Sequence, residues 1–398
     1  RLRFPEFQCE SGWDSELGNM VFDQISNKDH NSDLPVLAIT QDQGAIPREM
    51  IDYHVSVTDK SLESYKVVEV GDFIISLRSF QGGIEFSRYK GICSPAYVIL
   101  RLRDGYSADY FRHYLKTERF IAQMTKNLEG LRDGKMVSFK QFSELELPVP
   151  SHAEQQKIAD FLDTLNDRIR LEAEKLDNMK NDQRGVIQQL FSANGETMPK
   201  LRFPEFQCES GWDSELGNMV FDQISNKDHN SDLPVLAITQ DQGAIPREMI
   251  DYHVSVTDKS LESYKVVEVG DFIISLRSFQ GGIEFSRYKG ICSPAYVILR
   301  LRDGYSADYF RHYLKTERFI AQMTKNLEGL RDGKMVSFKQ FSELELPVPS
   351  RAEQQKIADF LDTLNAIIDA QSQKIESLKT YKNGLMQQMF PRLNEVEK

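Results

Sequence analysis

Residues 148–166 read PVPSHAEQQKIADFLDTLN, and residues 347–365 read PVPSRAEQQKIADFLDTLN. In each, a proline-flanked extended end gives way to Ser151-x-x-Glu154 or Ser350-x-x-Glu353. That is a capping box, in which hydroxyl and carboxylate satisfy otherwise unpaired amides of a first helical turn. Apolar residues then return at alternating steps of four and three. Ile158, Leu162, Leu165, Ile169, Leu176, Met179, Val186 and Leu190 follow one such line, interrupted by Glu172 and Gln183. Ile357, Leu361, Leu364, Ile368, Ile375, Leu378, Leu385 and Met389 follow the other, interrupted at the equivalent positions by Gln371 and Lys382. This is the seam of a coiled coil, and it predicts two helices of about 39 residues, each a rod of roughly 58 Å. A stripe so long exceeds what one small domain covers, which favours packing of the helices on each other over packing of each on its own domain.

Working outward, the two stretches prove to be parts of one repeat. Residues 2–166 recur as 201–365 at an offset of 199, and His152 against Arg351 is the one difference in 165 positions. Past position 166 the copies part at once: 167–191 read DRIRLEAEKLDNMKNDQRGVIQQLF, and 366–390 read AIIDAQSQKIESLKTYKNGLMQQMF. Drift would scatter differences along the whole unit, so the sharp edge points to recent duplication, recombination or fusion. SANGETMPK at 192–200 is short, polar and contains Gly and Pro, as a linker does. The expected organisation is a head at 1–150, a long helix at 151–192, a linker at 193–200, a second head at 201–349 and a second helix at 350–392.

Within the head, strand-like runs are LPVLAIT (34–40), KVVEV and FIISL on either side of Gly71-Asp72, AYVILRL (96–102) and LELPVP (145–150). One helix is expected after Ser107, carrying Tyr110, Phe111, Tyr114, Leu115 and Ile121. The fold class is therefore α/β (α+β) heads in tandem repeat, separated by long helices.

A chain of 398 residues calls for two domains or more. Its N-terminus opens on the mixed run RLRFPEFQCESGW rather than a leader, and no apolar stretch approaches the roughly 20 residues that span a bilayer, so a soluble, cytoplasmic protein is expected. Arg1 in place of an initiating Met suggests a trimmed, engineered chain. Cys9, Cys93, Cys208 and Cys292 have no metal-ligand spacing and read as reduced thiols. A net charge of −11 argues against holding nucleic acid by bulk charge, so any such binding needs local cations or a partner's.

No P-loop, G-x-G-x-x-G, H-E-x-x-H or G-x-S-x-G occurs, and His30, His54 and His113 have no partner nearby in sequence. No catalytic or metal site is expected. Residues 76–103 are instead locally basic, with Arg78, Arg88, Lys90, Arg101 and Arg103 against Glu85 alone. Gly82, Gly83 and Gly91 would let the backbone approach a ligand, and Phe80, Phe86 and Tyr89 are of a type that stacks on bases. Arg78, Gln81 and Arg88 are of the types that reach guanine or adenine edges. Residues 127–142 place Arg132, Lys135 and Lys140 around Gly130 and Gly134, a setting suited to phosphates. With Lys90, these and their copies Arg277, Gln280, Arg287, Lys289, Arg331, Lys334 and Lys339 form the expected DNA contacts. A solvated strand face and hairpin turn is the competing account of any one of them.

The junction P-V-P-S-x-A-E-Q-Q-K-I-A-D-F-L-D-T-L-N, occurring twice, closely resembles that of specificity subunits of type I restriction-modification systems. Leu2 to Phe7 with Trp13, and Gly71-Asp72 leading to Arg78, Gly91 and Ser94, are also similar to that family. The resemblance implies two target recognition domains in pseudo-two-fold symmetry with the spacer helices packed antiparallel. Each domain would read half of a bipartite DNA site. Two methyltransferase subunits carrying S-adenosylmethionine and motor-nuclease subunits using ATP and magnesium would be partners, leaving no cofactor in this chain. Nearly identical heads depart from the usual pattern of two different ones and predict an interrupted palindrome. Two other readings stay open: a coiled-coil scaffold without DNA specificity, and an enzyme acting on DNA in its own right.

Overall fold

The computed structural model describes residues 2–30, 33–41, 43–51, 62–75, 83–126, 138–192, 196–229, 232–250, 261–274, 282–325 and 337–390. The chain forms two compact units that are not contiguous in sequence. One comprises residues 1–173 with 373–398, the other residues 174–372. The division therefore cuts through both long helices. Each unit holds a head, the start of its own long helix and the end of the other.

Among the described residues the first head builds ten strands: β1 (Asp14–Leu17), β2 (Phe22–Ile25), β3 (Leu37–Thr40), β4 (Gly44–Pro47), β5 (Lys66–Val68), β6 (Phe73–Ile75), β7 (Glu85–Phe86), β8 (Gly91–Cys93), β9 (Val98–Leu102) and β10 (Glu146–Val149). Strands β2, β9, β6 and β7 lie side by side in one antiparallel sheet, with β1–β10, β3–β4 and β5–β8 as two-stranded ribbons. Every strand run expected from sequence holds a strand. The short β1, β2, β4, β7 and β8 were not legible, because two to four residues are too few to show an alternation.

Among the described residues four short α-helices complete the head: α1 (Gly18–Val21), α2 (Ala108–Tyr114), α3 (Glu118–Lys126) and α4 (Phe139–Ser143). The single helix expected after Ser107 is two. Ser107 caps α2 through the Tyr110 amide, and Thr117 then starts α3 by accepting from the Phe120 amide at 3.3 Å. The chain turns there so that Tyr110, Phe111, Tyr114, Leu115, Phe120 and Met124 all enter one core with Phe22, Phe73 and Phe142. Edge-to-face pairs such as Phe22–Phe111, at 5.2 Å between centroids, hold it together. The second head repeats these elements and its core.

The long helices are His152–Leu190 and Arg351–Met389, 39 residues each. Along both, every predicted seam position is buried or half-buried, whereas most of the flanking positions are exposed. The seam has two kinds of partner. Ile158 and Leu162 of the first helix enter the core of their own head, and Leu385, Met389 and Phe390 from the end of the second helix enter the same core. Lys374 of the second helix meets Glu172 of the first at 2.7 Å, so within this unit the two segments run antiparallel. In the other unit Leu190 and Phe191 join Ile357 and Leu361 in the same way. Thus the contrast between mutual packing and packing on the head dissolves: both happen, at successive turns.

The capping box forms only in half. Ser151 Oγ accepts from the Glu154 amide at 3.4 Å, but the Glu154 carboxylate turns to Arg3, which donates to it twice at 2.8 and 2.7 Å. A buried carboxylate gains more from a bidentate guanidinium than from one backbone amide. The same exchange joins Glu353 to Arg202.

Candidate nucleic-acid interface

The polar residues of the repeated junction are fastened into the protein. Gln155 donates to the Pro150 carbonyl at 2.8 Å and accepts from the Ser107 amide at 2.9 Å, tying the start of α2 to the start of the long helix. His113 meets Asp163 through Nε2 at 2.8 Å, and Arg112 bridges Asp109 and the same Asp163. Burial pulls the His113 pKa below its ordinary value, and the ring sits in the core with Asp163 as its partner. His30 likewise meets the Tyr65 carbonyl, while His54 lies outside the described residues. Burial pushes the Cys93 and Cys292 thiols up to about 12, which keeps them protonated and unreactive.

Several features that suggested a ligand serve the fold instead. Gly83 has φ of +87°, and a Cβ there would stand 2.3 Å from the Leu115 carbonyl oxygen; one on Gly91 would stand 2.5 Å from that of Pro35. The close approach that these glycines permit is to the protein's own backbone. Phe86 is half-buried and packs on Phe73 at 5.1 Å. Arg101 grips the buried Asp72 twice at 2.8 Å, Arg103 grips Asp23, and Lys90 pairs with Glu69 at 2.9 Å. Asp72 also accepts from the Glu69 amide, which closes the Gly71-Asp72 turn. The basic run is thus largely neutralised by acids distant in sequence.

What survives is smaller. Arg78, Gln81, Arg132 and Lys135, with Arg277, Gln280, Arg331 and Lys334, fall outside the described residues, as do Gly82, Phe80, Gly130 and Gly134. Arg88, Lys90 and Lys140 are exposed, as are Arg287, Lys289 and Lys339. Arg88 and Lys140 do not come together. Lys140 borders a depression of about 670 Å3 with Gln24, Lys66, Tyr97 and Phe139, and the second head has the same depression at about 680 Å3. Lys66 is spent inside it, donating to the Tyr97 carbonyl at 2.7 Å. The remaining ammonium, amide and aromatic edges suit a phosphate beside a base edge. Gln24, contributed by β2, borders the depression without any spacing in the sequence that links it to Lys140. Arg88 lines a different cleft, against the long helices.

Residues 18–181 and 217–380 each match the family described as "Type I restriction modification DNA specificity domain". The chain belongs to this family. The two matched copies take in nearly all of both heads and most of each long helix. Among similar proteins, the type I restriction enzyme MjaVIII specificity subunit of Methanocaldococcus jannaschii is 22% identical over 352 residues, which is 83% of this chain and 80% of that one. The HsdS subunit of Thermoanaerobacter tengcongensis, 19% identical, shares the fold at a TM-score of 0.52, covering 96% of this chain and 97% of that one. A chain from work on complex assembly and conformational transition of the type I R-M system, also 19% identical, reaches 0.63 over 97% and 98%. As a type I specificity protein, the chain carries two DNA-specificity domains, one per head. Among the described residues no helix is long and apolar enough to cross a membrane, and no group of His, Cys, Asp and Glu is placed to hold a metal ion.

Proposed function

We propose that this chain is a non-catalytic reader that takes one half of a bipartite DNA site in each head and directs methyltransferase and restriction subunits to it. The observation that carries the reading is the duplication itself: two nearly identical DNA-specificity domains, each continuing into a 39-residue helix. Identical heads prefer identical half-sites. A two-fold arrangement of the heads sets those half-sites on opposite strands, which makes the target an interrupted palindrome. Contacts fall to Arg78, Gln81, Arg88, Lys90, Arg132, Lys135 and Lys140 and their copies, with Gln24 and Gln223 added beside Lys140 and Lys339. Two methyltransferase subunits supply S-adenosylmethionine, and motor-nuclease subunits supply ATP and magnesium chemistry, all in the cytoplasm. A net charge of −11 suits a reader whose partners neutralise much of the DNA backbone.

Sequencing of adenines modified by the chain with its methyltransferase tests this. Modification at an interrupted palindrome is the expected result. Two unrelated half-sites would overturn the symmetry argument, and no sequence-directed methylation at all would favour a scaffold without DNA specificity.

The helices act as the ruler. Seven residues inserted after Ile169 keep the seam in register and add about 10 Å, or about three base-pair steps. Since each head holds the start of one helix and the end of the other, a matching insertion after Ile368 is needed, or one helix end leaves its seat. The doubly lengthened chain is expected to direct methylation to the same half-sites with about three more base pairs between them. An unchanged spacing, read from the same sequencing, removes the ruler role.

A further inference from the structure

The heads are alike, but the long helices bring different groups to them. Position 382 at the end of the second helix is lysine, and the equivalent position of the first, 183, is glutamine. In the second unit Gln183 donates its amide to Asn365 at 2.7 Å. In the first unit Lys382 lines a cleft of about 690 Å3 with Arg88, Arg112, His113, Lys116 and Lys379. Three of these cations are matched: Arg112 by Asp109 and Asp163, Lys116 by Glu85, Lys379 by Glu376. Among the described residues Arg88 pairs with no acid, and Lys382 makes no direct ion pair; the carboxylate that acts on it is Asp163, already shared by Arg112 and His113. Burial pulls the Lys382 pKa below the ordinary lysine value, so this ammonium is partly removed from water. A half-buried ammonium that shares its one carboxylate with two other groups keeps part of its desolvation cost, and an anion entering from solution relieves it.

We propose that this cleft of the first unit is a phosphate-binding site, in which Lys382 and Arg88, the two cations that hold no direct ion pair, receive the oxyanion. The assignment to a phosphate follows from the donors. A guanidinium presents a fork to two oxygens, an ammonium adds a compact point charge, and the amides of Gln41, Gln43 and Asn383 border the same space. The carboxylate of Glu85 also borders it, but Lys116 neutralises that charge. The second unit has Gln183 in place of the lysine and Arg184, drawn to Glu317 at 3.6 Å, in place of Asn383, so two halves with the same head present their cations differently. One source of the group is the DNA backbone, in which case the inference rests on the reader function proposed above; the other is free phosphate.

The full-length chain tests both sources. Inorganic phosphate is titrated while the His113 ring resonances are followed, since that ring borders the cleft. In parallel, the salt dependence of binding to a target duplex is measured with the methyltransferase present. Lys382→Gln copies the residue that the second unit already accommodates, and Gln183→Lys makes the reverse change. Phosphate is expected to shift the His113 resonance, and Lys382→Gln to weaken that response about tenfold, the loss of one charge-assisted contact. If the backbone is the source, Lys382→Gln also flattens the slope of log affinity against log salt by about 0.9, and Gln183→Lys steepens it. A lost phosphate response with an unchanged slope assigns the site to free phosphate. If the variants move neither readout, the site does not exist. In that event, sequence-directed methylation by the unaltered chain would leave the reader function standing; its absence would be a separate failure.

Discussion

Replacing Arg202 with Met is expected to destabilise the second unit by about 3–5 kcal/mol, the cost of stranding one partner of a buried ion pair. The side chains of Arg202 and Glu353 are 5% and 1% exposed, and the guanidinium donates to both carboxylate oxygens at 2.9 and 2.8 Å. It also serves the carbonyls of Glu209 and Ser210 at 3.1 Å each, so one substitution leaves several acceptors unsatisfied. Urea unfolding followed by circular dichroism and by proteolysis within residues 201–372 reads the effect. The double variant Arg202→Met with Glu353→Leu is expected to recover most of the loss, since an apolar pair of similar volume carries no desolvation penalty. The same change at Arg3 is expected to cost less, because that arginine is 14% exposed and water reaches it. A cost under about 1 kcal/mol for Arg202→Met would mean that the pair behaves as an exposed one.

Phe390→Ala is expected to cost about 3–5 kcal/mol as well, by a different route. The ring is 1% exposed and sits 5.6 Å from both Tyr110 and Tyr114, while Arg119 donates to the Phe390 carbonyl. Truncation opens a cavity where the second long helix enters the first head's core. Amide hydrogen exchange is expected to rise in α2, in α3 and over the last turns of the second helix together, because one cluster holds all three. Phe390→Leu, which refills most of the volume, is expected to lose about a third as much or less. If exchange rose in the helix end alone, the head's core would be complete without it. Phe191 holds the equivalent place, 5.5 Å from Tyr309 and Tyr313, and serves as the internal control.

The resemblance to specificity subunits rested on the junction and on the opening Leu2 to Phe7, and the structure gives both a physical reason. Arg3 or Arg202 in the opening motif is the counter-ion for the buried junction glutamate, and Gln155 or Gln354 pins the helix to α2 or its copy. These residues fasten head to helix. The expected DNA contacts were less legible. A run of cations looks like a binding face until acids distant in sequence are folded against it, as Asp72 and Asp23 are against Arg101 and Arg103.

The sequence by itself determined the tandem repeat, the two long helices with their seam, and the position of the junction, because these are written in local periodicity and self-similarity. Only the tertiary structure decided which helix end completes which head, which cations hold no direct ion pair, and that Gly83 and Gly91 admit backbone rather than ligand. Each of those depends on groups tens to hundreds of residues apart, and no spacing along a chain encodes a contact that forms only when the core closes.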